Sequence, residues 1–198
     1  MKKFVVSALF SLLFPLFCSG TTTSAVFAKY PNPVFVETGT YNGDGIQMAL
    51  EANFSTIYSM ELSPFFYAKA QKRFANQPRV KIVKGNSGTM LYDLIKNIHK
   101  PITFWLDAHY SGGEKIPGAK NTPVLDELDQ IKKHPIKTHT ILIDDMRCCN
   151  TWWFDGISKQ QIIDKVKEIN PHYVITFDEG YIPNDVLVAR VPKRVHSG

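Results

Sequence analysis

Three aspartates, Asp107, Asp144 and Asp145, end two apolar runs, Ile102–Leu106 and Thr140–Ile143, and His109 follows the first of them by two residues. If the two runs are neighbouring parallel strands, these carboxylates converge at one rim. Carboxylates so placed repel one another and are driven toward protonation unless a cation neutralises them. All-oxygen ligation suits a hard divalent ion such as Mg²⁺, which leaves coordination positions for water and substrate. His109 then stands where it could deprotonate a substrate hydroxyl or form an outer metal contact. The plainer alternatives are strand-end caps for the aspartates and a loop histidine without a role.

A second constellation lies nearer the N-terminus. Val34–Glu37 reads as a strand, glycines follow at 39, 43 and 45, and a helix begins at Ile46. Glycines in such a turn allow close approach of the backbone to a ligand, and the helix start behind them offers unpaired N–H groups. The spacing E-x-G-x-Y-x-G-x-G is not the dinucleotide fingerprint G-x-G-x-x-G. Glu37 precedes the first glycine by two, where its carboxylate could meet the cationic end of a ligand. Thr56–Glu61 reads as the next strand, and Glu61 at its end is placed to accept hydrogen bonds from a ribose diol, or else is a solvated strand-end carboxylate. Ser63-Pro64 follows as an N-cap with proline in the first turn.

This pattern resembles motif I of the class I S-adenosylmethionine-dependent methyltransferases. It is especially similar to the catechol O-methyltransferase group, in which a tyrosine also replaces the middle glycine. The resemblance implies S-adenosylmethionine bound over Gly39, Tyr41 and Gly43, with Glu37 beneath and Glu61 on the ribose. It also implies an adenine-facing residue after the third strand, at Asn86 or Ser87. Many members carry an acid at the position of Asn86, and the catechol-type group has a serine at that of Ser87, which is equally an ordinary helix N-cap. Metal-dependent members carry an acid after strand four and an Asp-Asn pair after strand five, so Asp107, Asp144 and Asp145 correspond, with Asp145 replacing the asparagine. Those enzymes use a lysine three residues beyond the first metal aspartate. Tyr110 holds that place here, which leaves the general base unassigned.

The elements that must position these residues alternate short β-rich runs with amphipathic segments. Strands are expected at Val34–Glu37, Thr56–Glu61, Val80–Val83, Ile102–Leu106, Thr140–Ile143, Tyr173–Phe177 and Val186–Val191. Leu91, Leu94, Ile95 and Ile98 mark one helix face, and Leu125, Leu128 and Ile131 a second. Ser158 and Gln161 form a capping box that opens a third. Five βα units imply a parallel sheet with right-handed crossovers. The last two strands are joined without a helix and should pair antiparallel. An α/β, three-layer, Rossmann-like fold follows. Its sheet resembles the methyltransferase order 3-2-1-4-5-7-6.

The chain has 198 residues, enough for one domain with a sizeable core. Its formal charge is +5, partly from Lys2 and Lys3, and no basic-aromatic stripe accompanies it. Nucleic acid is therefore not an expected partner; a small-molecule acceptor is. Residues 1–28 read as a secretory signal peptide, basic at the start, apolar from Phe4 to Cys18 and ending Ala25-Val-Phe-Ala28, with the folded domain at 29–198. Export follows from that reading, and membrane contact only through an uncleaved leader. Cys148 and Cys149 are adjacent. Their Cα atoms lie ~3.8 Å apart, below the ~4.4–6.8 Å of ordinary disulfides, so free thiols are expected. Ser111–Asn121 reads as a polar lid on the same rim as the aspartates, and Trp152, Trp153 and Phe154 as an apolar or sugar-stacking wall or as core. Taken together, the residues point to a Mg²⁺-assisted O-methyltransferase acting on a small hydroxylated acceptor, a sugar or other polyhydroxyl compound. An exported binding protein with a degenerate methyltransferase fold and a metal-dependent hydrolase are the alternatives.

Overall fold

The computed structural model describes residues 24–110 and 119–192. Within them seven strands form one sheet: β1 (Val34–Thr38), β2 (Thr56–Glu61), β3 (Val80–Lys84), β4 (Ile102–Leu106), β5 (Thr140–Ile143), β6 (Val174–Asp178) and β7 (Val186–Arg190). The order is β3-β2-β1-β4-β5-β7-β6. Strands β1 to β5 pair in parallel, and β7 lies antiparallel to both β5 and β6. The helices are α1 (Ser24–Ala28), α2 (Asp44–Glu51), α3 (Pro64–Arg73), α4 (Ser87–Ile95), α5 (Val124–Lys133) and α6 (Lys159–Ile169). None of the described helices is long and apolar enough to cross a membrane.

Both faces of the sheet are covered, which is why the central strands read as unbroken apolar runs. Alternate residues serve opposite faces. Val36, Phe104, Leu106, Ile141 and Ile143 pack with α4, α5 and α6 through Leu91, Leu128 and Val166. Phe35, Ile57, Trp105, Leu142 and Val188 pack on the other side with Ile46 and Ala49 of α2 and with Phe74 after α3.

Residues 1–23, most of the expected leader, lie outside the described residues. Ser24–Ala28, which the sequence reading assigns to the leader, is a short helix packed into the second core. Phe27 is wholly buried, with ring centroids 4.9 Å from both Phe35 and Trp105. A chain beginning at Lys29 would leave that pocket empty, and losing a buried phenylalanine costs ~3–5 kcal/mol. Ser24–Ala28 thus packs with the domain expected at 29–198.

Beneath the sheet, two buried histidines join four elements. The Ile102 amide donates to His139 Nδ1 at 3.1 Å, His139 Nε2 lies 3.0 Å from His134 Nδ1, and His134 Nε2 lies 3.1 Å from the Ile98 carbonyl. With each ring protonated only at Nε2, every nitrogen in this relay is satisfied. Burial, with His134 and Lys137 adding to it, pushes His139 down to about 3. Its folded value lies below the unfolded one, so the stability it carries is present above pH ~6.5 and lost as pH falls toward 3. Between pH 7 and pH 4.5 the loss from this group is ~2–3 kcal/mol. In His139→Asn, whose carbonyl can still accept from Ile102, urea unfolding should show that much less destabilisation over the same interval. An unchanged pH dependence would contradict the assignment.

Candidate active site

Strand register sets the site. Thr38 pairs with Met60 on one side and Leu106 on the other, and Leu106 pairs with Ile143. The next residues in each strand direction, Glu61, Gly39, Asp107 and Asp144, therefore form one row along the carboxyl edge, where α/β sheets bind ligands. Gly39 is the tight point of the row. Its φ is +82°, its amide donates to the Met60 carbonyl at 2.9 Å, and a Cβ there would stand 2.3 Å from the Asp107 carbonyl oxygen. No larger residue fits without parting β1 from β4.

On the β2 side, Glu61 ties the glycine turn to the sheet. One carboxylate oxygen accepts the Tyr41 amide at 2.8 Å and the other the Ser63 amide at 2.7 Å, and Tyr41 takes a φ of 45° to present its N–H. Each oxygen keeps a lone pair for a further donor. The Tyr41 ring, half-exposed, packs 4.4 Å from Phe66. Gly43, at φ +86°, leads into α2 past the Phe74 ring.

Glu37 lies deeper than the expected ligand contact requires. It is buried, its Oε2 accepts from Ser59 Oγ, and its Oε1 would touch a Cβ at Gly45. Ser59 Oγ is in turn 2.5 Å from Thr40 Oγ1. Burial raises the Glu37 carboxyl well above the usual range, against the opposing Ser59 bond. Its contacts support the turn from below. After β3, Asn86 rather than Ser87 caps α4, its Oδ1 accepting the Gly88 amide at 3.0 Å. Ser87 is the buried first residue of that helix.

The β4–β5 side gathers the acids. Asp145 takes a left-handed φ of 58°, which turns the chain out of β5 and gives neighbouring Asp144 and Asp145 different surroundings. Asp144 Oδ1 accepts the Asp145 amide at 2.8 Å. His109 Nδ1 lies 3.1 Å from Asp145 Oδ2 and 3.5 Å from Asp107 Oδ1. Ligand atoms of Asp107, His109 and Asp145 all fall within 4.8 Å of one another, as do those of Asp144, Asp145 and Asp185. Desolvation at the strand ends raises both Asp107 and Asp144, and the neighbouring aspartates add to the shift. The donor set, rich in carboxylate oxygen, fits a hard divalent cation.

Two participants were not anticipated from the sequence. Arg147 stands 2.5 Å from Asp145 and pairs also with buried Asp185, and its guanidinium packs 4.8 Å from the Tyr181 ring. It supplies part of the positive charge that the acids need. Glu127 of α5 is buried and lines a small cavity together with Asp107, His109 and Asp144. Its sequence signal was a carboxylate on an apolar stripe, three residues after Val124 and four before Ile131.

Beside His109 stands an aromatic group. Tyr110 stacks near Trp153 at 6.0 Å and 20° and meets Trp152 edge-on at 5.9 Å, while Phe154 packs inward against His109 at 5.6 Å. Trp152 is 60% exposed. Asp155 holds this segment to the chain before α5 by accepting the Asn121 and Thr122 amides at 2.9 and 3.2 Å. The expected lid lies outside the described residues except at Ala119–Asn121. Cys148 and Cys149 are free thiols, and burial pushes Cys149 upward.

No protein-family model matches the sequence, and no curated protein matches it. Solved structures do. A candidate caffeoyl-CoA O-methyltransferase from Staphylococcus aureus aligns at 14% identity and a TM-score of 0.56, over 85% of this chain and 80% of the other. A candidate rRNA methylase from Clostridium thermocellum aligns at 13% and 0.58, over 84% and 94%. The O-methyltransferase TomG from Streptomyces achromogenes, solved with S-adenosylmethionine, aligns at 14% and 0.55, over 86% and 78%. The fold is that of the class I methyltransferases. At these identities the likeness speaks for the fold, and the site must be argued from its own residues.

Arg147 offers a test of the acid cluster. Removing one partner of a buried pair strands the other charge, at ~3–5 kcal/mol. Arg147→Met should lose about that much stability in urea unfolding, and the double variant with Asp185→Asn should recover part of it. A single variant as stable as wild type would show that the guanidinium does not balance these carboxylates.

Proposed function

We propose that the chain is an S-adenosylmethionine-dependent methyltransferase that methylates a hydroxyl group of a small acceptor with the help of a divalent cation. The observation that supports this most directly is the row at the carboxyl edge. Within it, a glycine turn braced by Glu61 stands beside a cluster of acids around a histidine. Chemistry of the two halves is complementary: one holds a nucleoside, the other handles a hydroxyl proton.

Glu61 accepts hydrogen bonds from the ribose diol while its own backbone bonds hold the turn in shape. Tyr41 and the glycine turn bound the cofactor on the β1 side, and Asn86 and Ser87 stand at the end of β3 where the base would lie. S-adenosylmethionine, when bound, supplies a methyl group on an electrophilic sulfonium. Asp107, Asp144 and Asp145 would hold Mg²⁺, which when bound lowers the pKa of a coordinated hydroxyl. Asp145 and Asp107 orient His109 through Nδ1, and the imidazole accepts the acceptor's proton as the oxygen becomes nucleophilic. The wall of Tyr110, Trp152 and Trp153 confines the acceptor and aligns its oxygen for in-line attack. A ring bearing several hydroxyls, such as a sugar, suits that aromatic surface. A cleaved leader upstream of Ser24 would make this an exported enzyme.

Calorimetry with S-adenosylhomocysteine tests the reading. The wild-type protein should bind it, and Glu61→Ala should bind at least tenfold more weakly, because each hydrogen bond to a charged acceptor is worth ~1.5–3 kcal/mol. No heat of binding at millimolar ligand would overturn the methyltransferase reading.

A further inference from the structure

We infer that Glu127 belongs to the cation site, where it holds a water of the ion's hydration shell from the α5 side and so positions the ion. The inference rests on the cation reading above and adds a residue that lies on none of the sheet's strands. Glu127 is 1% exposed. Its Oε1 has no hydrogen-bond partner. The hydroxyls of Thr38 and Ser87 lie near this carboxyl, and Thr38 Oγ1 is also buried without a hydrogen bond. A buried carboxylate oxygen left in this state is costly, so a ligand is expected to complete it.

The space for that ligand is present. Glu127 shares with Asp107, His109 and Asp144 a cavity of about 10 Å³. That is about the room one water needs. Of the carboxylates around the ion, Asp145 already faces Arg147 through Oδ1 and His109 through Oδ2. Glu127 falls outside the sets whose ligand atoms lie within 4.8 Å of one another. The shared cavity has room for one water between Glu127 and the aspartates, so contact through a water is the arrangement that fits. Mg²⁺ keeps several waters when bound, and outer carboxylates that accept from them set its affinity. The second buried acceptor, Thr38 Oγ1, sits at the end of β1 beside Gly39, and so links the cavity to the row.

The test is Mn²⁺ binding by the full chain, followed by electron paramagnetic resonance of the free ion, with S-adenosylhomocysteine affinity measured on the same samples. Loss of an outer carboxylate typically weakens metal affinity ~10–100-fold. Glu127→Gln should therefore bind Mn²⁺ at least tenfold more weakly than wild type while its S-adenosylhomocysteine affinity stays within twofold. Glu127→Asp, which keeps the charge, should recover part of the Mn²⁺ affinity. A purely structural role would lower both affinities together, and that result overturns the inference. So does wild-type Mn²⁺ affinity in Glu127→Gln. If wild type itself binds no Mn²⁺ at millimolar concentration, the cation reading falls and this inference with it, while retained cofactor binding would leave the methyltransferase reading standing.

Discussion

The structure depends on how closely the ends of β1 and β4 approach at Gly39. The Asp107 carbonyl occupies the space a side chain would need, so the two strands finish level and the chain after each turns away at the same height. That contact converts strand register into a site. Glu61, Gly39, Asp107 and Asp144 stand in one row because their strands pair residue for residue up to that edge. The glycine-turn half and the acidic half of the site are thereby neighbours across a single glycine.

Gathering acids at this edge carries an electrostatic cost that the chain meets in several ways. Arg147 and His109 lie among the carboxylates, and the backbone amides of Tyr41, Ser63 and Asp145 take others. What remains is uneven. Each Glu61 oxygen takes one backbone amide. Burial lifts Glu37, Asp107, Asp144 and Glu127, the last to about 7.

Much of this was legible in the sequence. Short unbroken apolar runs, buried on both faces of the sheet, fix the central strands to within a residue, and the absence of a helix between β6 and β7 predicts their antiparallel pairing. The strand-end acids were legible because a carboxylate closing an apolar run has few structural uses. What was not legible depends on three-dimensional neighbours. Arg147 is one basic residue among many until the left-handed turn at Asp145 brings it over Asp145 and Asp185. Glu127 reads as a helix-surface charge unless Val124 joins Leu125, Leu128 and Ile131 on the inward face. The capping role expected at Ser87 falls to Asn86 one residue earlier. Glu37 sits at a ligand-facing position by motif, and its burial beneath Gly45 follows only from the angle between β1 and α2. Ser24–Ala28 is apolar and small enough to resemble a cleavage region, and only the cavity between Phe35 and Trp105 shows where Phe27 belongs.

The central claim is that the row built on Gly39 is where the cofactor binds. Amide hydrogen exchange with and without S-adenosylhomocysteine measures this at the level of single segments. Slowed exchange is expected in residues 39–45, 61–66 and 85–88, with no change on the α3 side of the open groove that Lys69, Lys72 and Arg73 line opposite Asn42 and Asp44. Protection confined to α3 along that groove, with the glycine turn unchanged, would contradict the account.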